Sequence, residues 1–228
     1  MSVLLEARNI SRVFLTGSSP CLALAPLSLV VKKGEFLVIT GRSGAGKSTL
    51  LNLLSGLDLP SRGEILFKNR SLSAMNEMET ARLRNGSFGF IFQTPHLLPD
   101  RTILENVAMP FSYGKPLEHS AVEKRCRELL AYVGLERLIH RFPGTLSGGE
   151  MQRVVFARAL VREPEIIFAD EPTGSLDGEN SRKIMELLKE QVTDGCSVVM
   201  VSHDREAGSF GTRTLYLEKV ESAEGVLF

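Results

Sequence analysis

Short apolar runs alternate along the chain with stretches that have helical periodicity. Residues 3–10, 27–31 and 64–68 are predicted to be strands, and a loop through residues 17–20 is expected between the first two. Four further runs are apolar enough to be buried strands, at residues 35–40, 88–92, 166–169 and 197–201. Strands that alternate with helices predict an α/β fold with a largely parallel sheet and helices on both faces.

The region from residue 94 to about residue 163 is predicted to be a helical insertion in this fold. One helix is expected to begin at a capping box formed by Ser120 and Glu123 and to end at Gly134. A second helix is expected over residues 150–161. The apolar face of the first helix is predicted to consist of Val122, Cys126, Leu129, Leu130 and Val133. Beyond the insertion, a further helix is indicated by Ile184, Leu187, Leu188 and Val192.

A glycine-rich segment lies between the strand at 35–40 and a helix-like run at 49–54. Residues 41–48 fit the pattern G-x-x-x-x-G-K-S in the strand-to-helix context that it requires. Its glycines let backbone N–H groups surround a phosphate, and the helix dipole adds positive potential. Lys47 would neutralise the β- and γ-phosphates, and the Ser48 hydroxyl would ligate Mg²⁺. The predicted nucleotide-binding residues are Gly41, Arg42, Ser43, Gly44, Ala45, Gly46, Lys47, Ser48 and Thr49.

Two adjacent carboxylates follow the apolar strand at 166–169. Asp170 suits a direct or indirect role in binding Mg²⁺. Glu171 stands one residue further, where it could polarise a water in line with the γ-phosphate. An ordinary acidic strand end would look the same in isolation, but the phosphate-binding pattern upstream favours the catalytic interpretation.

A second anion-binding surface is predicted at residues 147–150, directly before a helix. Ser147 and Glu150 have the spacing of a capping box, which any helix start can use. Gly148 and Gly149 are not required by a cap, and they would expose the first helical N–H groups to an anion. This surface is far in sequence from Lys47.

The amino-acid composition limits the partners and the cellular compartment that we expect for this chain. The 228 residues include 27 basic and 27 acidic ones, so no basic field indicates a nucleic-acid partner. Three scattered cysteines, at 21, 126 and 196, are typical of a reducing compartment. No apolar run reaches the ~18 residues that span a bilayer, and the first residues lack the features of a signal peptide. We therefore expect a cytosolic protein that reaches a membrane only through a partner.

The segment 146–150, followed by Met151, Gln152 and Arg153, resembles the signature of the ATP-binding cassette (ABC) ATPases. Other family elements occur in the expected order: Gln93 in the Q-loop, Pro172 after the acidic pair, 175–177 as the D-loop, His203 as the switch histidine and Phe14 as the base-stacking aromatic residue. The resemblance covers nearly the whole chain. It implies a P-loop NTPase fold with a RecA-like core, an antiparallel β subdomain and a helical subdomain at about 94–163, all within one ABC domain, 1–228.

This resemblance also implies roles for single residues, with ATP and Mg²⁺ as the ligands. Glu171, His203 and Gln93 would be catalytic, and Ser48, Gln93 and Asp170 would hold the metal. Two copies would form a head-to-tail homodimer, in which residues 147–150 and Asp177 of one chain contact the nucleotide of the other. Phe14 would stack on the base with loose selectivity, unless it is simply a core phenylalanine.

A finer resemblance lies at 92–99, Thr102, 105–107 and Pro110, which are similar to the lipoprotein-release and macrolide-export branch. It implies an ATPase that powers a membrane transporter or extruder of lipoprotein or hydrophobic, macrolide-type cargo, at the inner face of the cytoplasmic membrane. A non-transport membrane process, such as cell division or signalling mechanotransmission, is the alternative. An ABC ATPase that acts on DNA or ribosomes is disfavoured, because the cassette is single and carries no heptad run or basic stripe.

Permease subunits are expected to dock near residues 93–110. Leu97, Leu98 and Pro99 directly follow the Q-loop glutamine in a segment without strand character. An amphipathic helix of the partner would fit a groove there. The alternative is that these leucines fill the core of the helical insertion.

Overall fold

The computed structural model describes residues 2–16, 19–113, 118–204 and 206–219. Its strands, in chain order, are Val3–Thr16 (β1), Ser19–Lys32 (β2), Phe36–Gly41 (β3), Arg62–Phe67 (β4), Arg70–Ser71 (β5), Phe88–Phe92 (β6), Ile166–Asp170 (β7), Ser197–Val201 (β8) and Arg213–Leu217 (β9). Four strands form an antiparallel sheet in the order β2-β1-β4-β5. The other five form a parallel sheet in the order β6-β7-β8-β3-β9.

The α-helices are Lys47–Leu54 (α1), Glu77–Ser87 (α2), Ile103–Ala108 (α3), His119–Tyr132 (α4), Gly148–Leu160 (α5) and Gly178–Thr193 (α6). Short 3₁₀ segments occur at Leu72–Ala74, Met109–Ser112, Pro143–Thr145 and Glu206–Ser209. Within the described ranges, none of the helices has the length and apolar character needed to cross a bilayer.

The parallel sheet separates two hydrophobic cores. Phe36 and Val38 of β3 pack with residues of α3 to α6 on one face of the sheet. Leu37 and Ile39 point to the other face, where α1 and the antiparallel sheet complete the second core. Because both faces are covered, the strands are continuous apolar runs rather than alternating ones. The predicted α/β fold, with a parallel sheet and helices on both faces, is confirmed.

The first two strands are longer than the sequence predicted. Ser19 and Pro20 belong to β2 rather than to a loop, whereas residues 17 and 18 lie outside the described residues. The pairing register of β1 and β2 shifts around Asn9, which has a φ of 47° and donates its N–H to the Ser28 hydroxyl. A bulge of this kind lets the hairpin bend and continue beyond the predicted strand end.

Helix α2 was not predicted. Asn76 and Glu79 form a complete capping box at its start, but the helix has no buried residue and therefore no apolar stripe. The Asn-x-x-Glu spacing of residues 76–79 was the sequence signal from which this helix start could have been predicted.

The predicted capping box at Ser120 is wrong. Helix α4 begins at His119 with Glu118 as N-cap, and Ser120 lies inside the helix. The Glu123 carboxylate instead accepts a hydrogen bond from Arg127 Nε at 2.8 Å. The predicted apolar face is confirmed, since its residues pack into the core on the helical side of the sheet. The helix expected over 150–161 begins two residues earlier, at Gly148.

Candidate functional site

The phosphate loop, residues 41–48, connects β3 to α1. Gly46 has a φ of 91°, and a side chain there would overlap the backbone oxygen of Ala23 in β2, so only glycine fits. Lys47 is buried, and its Nζ donates to the carbonyl oxygens of Gly41 and Arg42 at 3.0 and 3.1 Å. The ammonium group is therefore held against the loop itself, where phosphate oxygens could replace the two carbonyls.

The end of β7 meets the start of α1. Ser48 Oγ donates to Asp170 Oδ1 at 3.2 Å, although the two residues are 122 positions apart. Burial raises the pKa of Asp170, while the Ser48 hydrogen bond opposes the shift. A hydroxyl and a carboxylate are hard oxygen ligands of the kind that Mg²⁺ prefers, and a cation beside them would stabilise the ionised carboxylate. The residues present therefore fit a magnesium site.

Glu171 and His203 form a direct pair. Glu171 Oε2 lies 2.8 Å from His203 Nδ1. Glu171 has a φ of 45°, and its N–H donates to Val201 O, which fixes it at the junction of β7 and β8. Such a backbone conformation is rare outside glycine and is often found at functional sites.

Gln93 and Glu171 both lie beside Gly174. A Cβ at Gly174 would lie 2.9 Å from Gln93 Nε2 and 3.4 Å from Glu171 Oε2. The absence of a side chain at Gly174 thus leaves room for both Gln93 and Glu171. No sequence pattern singles it out, because the neighbours that crowd it lie on other elements.

The segment 147–150 forms a complete capping box at the start of α5. Glu150 Oε2 accepts from the Ser147 backbone N–H and hydroxyl at 2.8 and 2.9 Å, and these bonds lower the pKa of Glu150. Gly148 is exposed, and a Cβ at this residue would meet nothing nearer than Leu176 Cδ2 at 3.8 Å. Gly149 is buried against Asn180, so of the two glycines Gly148 is the one that is open to solvent, and anion binding at this helix start stays a prediction.

Asp177 caps α6. Its Oδ1 accepts from the Asn180 N–H at 2.8 Å and its Oδ2 from Asn180 Nδ2 at 2.9 Å, which lowers the pKa of Asp177. Asn180 also accepts from Arg153 Nη1 at 3.1 Å. Asn180 therefore ties the start of α5 to the start of α6, a role that sequence reasoning missed.

Gln152, named above only within the signature segment, makes a contact that was not predicted. It is buried in α5, and its Nε2 donates to the Phe92 carbonyl at 3.0 Å, directly before Gln93. Among the described residues, no hydrogen bond or ion pair joins segment 147–150 to the phosphate loop.

Phe14 lies near the far end of β1. It pairs with Cys21 of β2, two residue pairs away from the part of β2 that touches Gly46. The Arg12 guanidinium lies 4.6 Å from the centre of the Phe14 ring. With 41% of its surface exposed, Phe14 is not a core residue, and that alternative is wrong. Phe14 is thus an exposed ring on the hairpin whose Ala23 touches the phosphate loop, and such a ring is available for stacking.

Comparison with known proteins gives a consistent result. Residues 24–174 match the sequence profile of the ABC transporter family. The lipoprotein-releasing system ATP-binding protein LolD of Psychrobacter arcticus is 46% identical over 95% of this chain and 96% of its own length. The uncharacterized ABC transporter ATP-binding protein MJ1508 of Methanocaldococcus jannaschii is 41% identical over 97% of this chain and 98% of its own.

Solved structures agree. The dimeric, post-hydrolysis state of the ATP-binding cassette MJ0796 with ADP and Pi is 39% identical and superposes with a TM-score of 0.88, covering 96% of this chain and 97% of that one. The protein cbiO1 from Clostridium perfringens, part of the ABC transporter complex cbiONQ, is 28% identical with a TM-score of 0.84 over 97% of this chain and 88% of that one. The chain therefore belongs to the ABC transporter family, as an ATPase subunit that binds ATP with Mg²⁺.

Proposed function

We propose that this chain powers a membrane complex that exports or extracts a lipoprotein or another hydrophobic, macrolide-type cargo. The observation that carries the proposal is the 46% identity to LolD along nearly the full length of both chains. The chain would act at the inner face of the cytoplasmic membrane, held there by integral membrane permease subunits.

Within the site, Ser48, Asp170 and Gln93 would hold Mg²⁺, supported by the hydrogen bond between Ser48 and Asp170. When bound, Mg²⁺ would neutralise part of the charge on the β- and γ-phosphates. Lys47 would exchange the carbonyls of Gly41 and Arg42 for phosphate oxygens. The remaining residues of the loop, together with Thr49, would bind the phosphates through their backbone.

Glu171 would be the general base for the attacking water. The 2.8 Å contact with His203 supports this role, because a base held by a second group keeps a defined orientation. Gln93, whose amide lies beside Gly174 as the Glu171 carboxylate does, would sense the γ-phosphate. Positioning and electrostatic stabilisation would supply most of the rate enhancement.

We further propose a head-to-tail homodimer with two shared ATP sites. Ser147, Gly148, Gly149, Glu150 and Asp177 of one chain would complete the nucleotide site of the other. The exposed, uncrowded Gly148 supports this, since an anion can approach the backbone there. The related cassette MJ0796 is described as dimeric in two solved structures.

The permease is proposed to dock beside residues 93–110. Leu98 is 40% exposed, whereas Leu97 packs against the core, so the core alternative is wrong for Leu98 and correct for Leu97. The buried Asn106 fixes this segment, because it accepts from the Leu98 N–H and donates to the Leu98 and Arg101 carbonyls. A fixed, exposed segment next to Gln93 is suited to transmit the nucleotide state to a partner.

Affinity purification of the tagged chain from detergent-solubilised membranes tests the proposal. An integral membrane permease should co-purify in stoichiometric amount, and the complex in vesicles should release an acylated protein in an ATP-dependent manner. The complex with Glu171→Gln should bind the same permease without release. A permease that moves neither acylated protein nor hydrophobic compounds would contradict the cargo, and recovery without any membrane subunit would contradict the transport role.

A further inference from the structure

One face of the Phe14 ring is covered by Arg12, which lies two residues earlier on β1. The guanidinium carbon is 4.6 Å from the ring centre, within the range of a cation–π contact. Phe14 nevertheless keeps 41% of its surface exposed. A ring that is covered on one face and exposed elsewhere offers only its opposite face to a nucleotide base. Arg12 therefore determines the side on which a base can stack on Phe14.

Arg12 is itself held in place. Its Nη2 lies 2.8 Å from Asp58 Oδ1, and only 24% of the Arg12 side chain and 28% of the Asp58 side chain are exposed. The Nε of Arg12 is buried and has no hydrogen-bond partner among the described residues. A guanidinium that has lost water gains more from an aromatic face than a freely hydrated one does. Arg12 therefore has little freedom to leave the Phe14 ring.

Asp58 extends this chain of contacts to the helix that follows the phosphate loop. Its N–H donates to Asn52 O of α1 at 3.1 Å, and α1 begins at Lys47. The Asp58 carboxylate has a second bond that orients it, because its Oδ1 also accepts from the Leu59 N–H at 2.8 Å. The Phe14 ring and the phosphate-binding residues are thus joined through Arg12, Asp58 and α1.

We propose that Arg12 is a positioning residue for ATP, which holds the Phe14 ring in the orientation in which its free face stacks on the base. The inference rests on the expected stacking of the base on Phe14 and adds the residue that fixes the ring. It does not depend on the cargo or on the membrane partner. Among the described residues, no hydrogen bond or ion pair joins Arg12 to the phosphate loop, so its effect should be confined to the adenosine half of ATP.

Two ligands separate the base from the phosphates: ATP, and inorganic tripolyphosphate, which lacks the adenosine. Their affinities are measured without Mg²⁺, so that ATP is not hydrolysed. Arg12→Met removes the charge and keeps an unbranched side chain. It should weaken ATP binding about threefold to fivefold and leave tripolyphosphate binding within about twofold. Arg12→Lys, which keeps a cation, should recover part of the loss.

Arg8→Met is the matched control. Arg8 lies on the same strand and forms ion pairs with Glu6 and Glu64, but it has no cation–π contact within the described part of the chain. The same substitution should therefore leave the affinities for ATP and for tripolyphosphate within about twofold of wild type.

Asp58→Asn tests the connection to α1. It keeps an oxygen that can accept from the Leu59 N–H but removes the charge that holds Arg12, so ATP affinity should fall about twofold to threefold. Combination with Arg12→Met should add no further loss, because both changes act through the same ring. In turnover assays with Mg²⁺, Arg12→Met and Asp58→Asn should each raise the KM for ATP and leave kcat near wild type, as expected for binding that is equal in the ground and transition states.

Phe14→Ala distinguishes failure of the inference from failure of its premise. It should weaken ATP binding about tenfold and leave tripolyphosphate binding unchanged. Wild-type ATP affinity in Phe14→Ala would show that the base does not stack on this ring, and the inference would fall with that expectation. A loss in Phe14→Ala with none in Arg12→Met would leave the stacking intact and overturn the role of Arg12.

A merely structural role of Arg12 would give a different result. Equal losses of ATP and tripolyphosphate affinity in Arg12→Met, or a lower kcat with an unchanged KM, would overturn the positioning role. If Arg12→Met does not fold, Asp58→Asn keeps the arginine and carries the same prediction, and unchanged ATP affinity in that variant would contradict the proposed connection.

Discussion

A side chain at Gly149 would overlap the carboxamide of Asn180, whose Nδ2 lies 2.8 Å from the position that a Cβ would take. Asn180 has little freedom to retreat, since it also bonds Arg153 and Asp177. The adjacent Gly148 has room for a side chain instead. Two neighbouring glycines of one motif thus differ in their surroundings: Gly149 is packed within the chain, and Gly148 is open to the outside.

Substitutions at these glycines should therefore behave differently. Gly149→Asp should destabilise the fold by about 1–3 kcal/mol through overpacking, seen as a lower Tm. Gly148→Asp should keep the wild-type Tm, because an acidic residue is favourable in the first turn of a helix, but should block ATP-driven dimerisation through its charge. Light scattering with ATP measures the second effect.

Complementation provides the control for a shared site. A mixture of Gly148→Asp and Lys47→Ala chains should regain ATPase activity, because each heterodimer contains one intact composite site. If the two chains associate and no activity returns, the head-to-tail arrangement is contradicted.

Glu171→Gln should abolish turnover while ATP binding survives. Loss of a general base lowers rates by about 10²–10⁴-fold, and the unhydrolysed ATP should keep the dimer closed. Turnover assays and an ATP-dependent doubling of mass in light scattering test this. Glu179→Gln makes the same change at an exposed residue of α6 and is the control. It should leave turnover and ATP-dependent dimerisation unchanged. Wild-type turnover in Glu171→Gln would refute the assignment of the base.

Leu97 and Leu98 form a matched pair for the docking surface. Leu97→Glu should lower Tm strongly, because its side chain packs against the core and a carboxylate would be buried there. Leu98→Glu should leave Tm and basal ATPase activity near wild type but reduce co-purification of the permease. A folded Leu98→Glu chain that recovers the permease in full would argue against contact at this residue.

The three cysteines should differ in reactivity. Burial raises the pKa of Cys126 to about 11 and of Cys196 to about 12, whereas Cys21 is exposed. At pH 8 one thiol per native chain should react rapidly with a disulfide reagent, and Cys21→Ser should remove it. More than one rapid thiol in the native wild type would contradict this.

The thiols of the buried Cys126 and the partly buried Cys196 also make the free energy of unfolding depend on alkaline pH. Each thiol has a higher pKa in the folded chain than in the unfolded chain. Its contribution to the free energy of unfolding is therefore complete below the unfolded pKa near 9. That contribution is lost as pH rises towards about 11 for Cys126 and about 12 for Cys196. The urea midpoint should therefore fall between pH 8 and pH 10. A smaller fall in Cys196→Ala would assign part of the effect to that thiol.

Sequence reasoning succeeded where burial dictates residue type over a short range. Residues 36–39 of β3, 166–169 of β7 and 198–201 of β8 are buried on both faces of the sheet, so each run had to be apolar. The phosphate loop was also predicted from the sequence, because local backbone geometry requires its glycines.

The same reasoning failed where the determining contact is distant or absent. Helix α2 has no fully buried residue, and only Leu83 of its apolar residues packs against the core, so it lacks a clear apolar period. The extension of β1 depends on pairing with β2 around a bulge at Asn9. The contacts between Glu171 and His203, and between Gly149 and Asn180, join elements whose approach only the folded chain defines.

The hydrogen bond from the buried Gln152 to the Phe92 carbonyl has a consequence for when the two ATP molecules of the proposed dimer are hydrolysed. It joins Phe92, the residue before Gln93, to α5, the helix that begins at Gly148. A shift of Phe92 would therefore move α5 as well. In the proposed dimer, Gln93 faces the chain's own ATP while Gly148 faces the partner's. The two ATP molecules would then be consumed interdependently, and a chain with Gln152→Ala should hydrolyse them with less cooperativity.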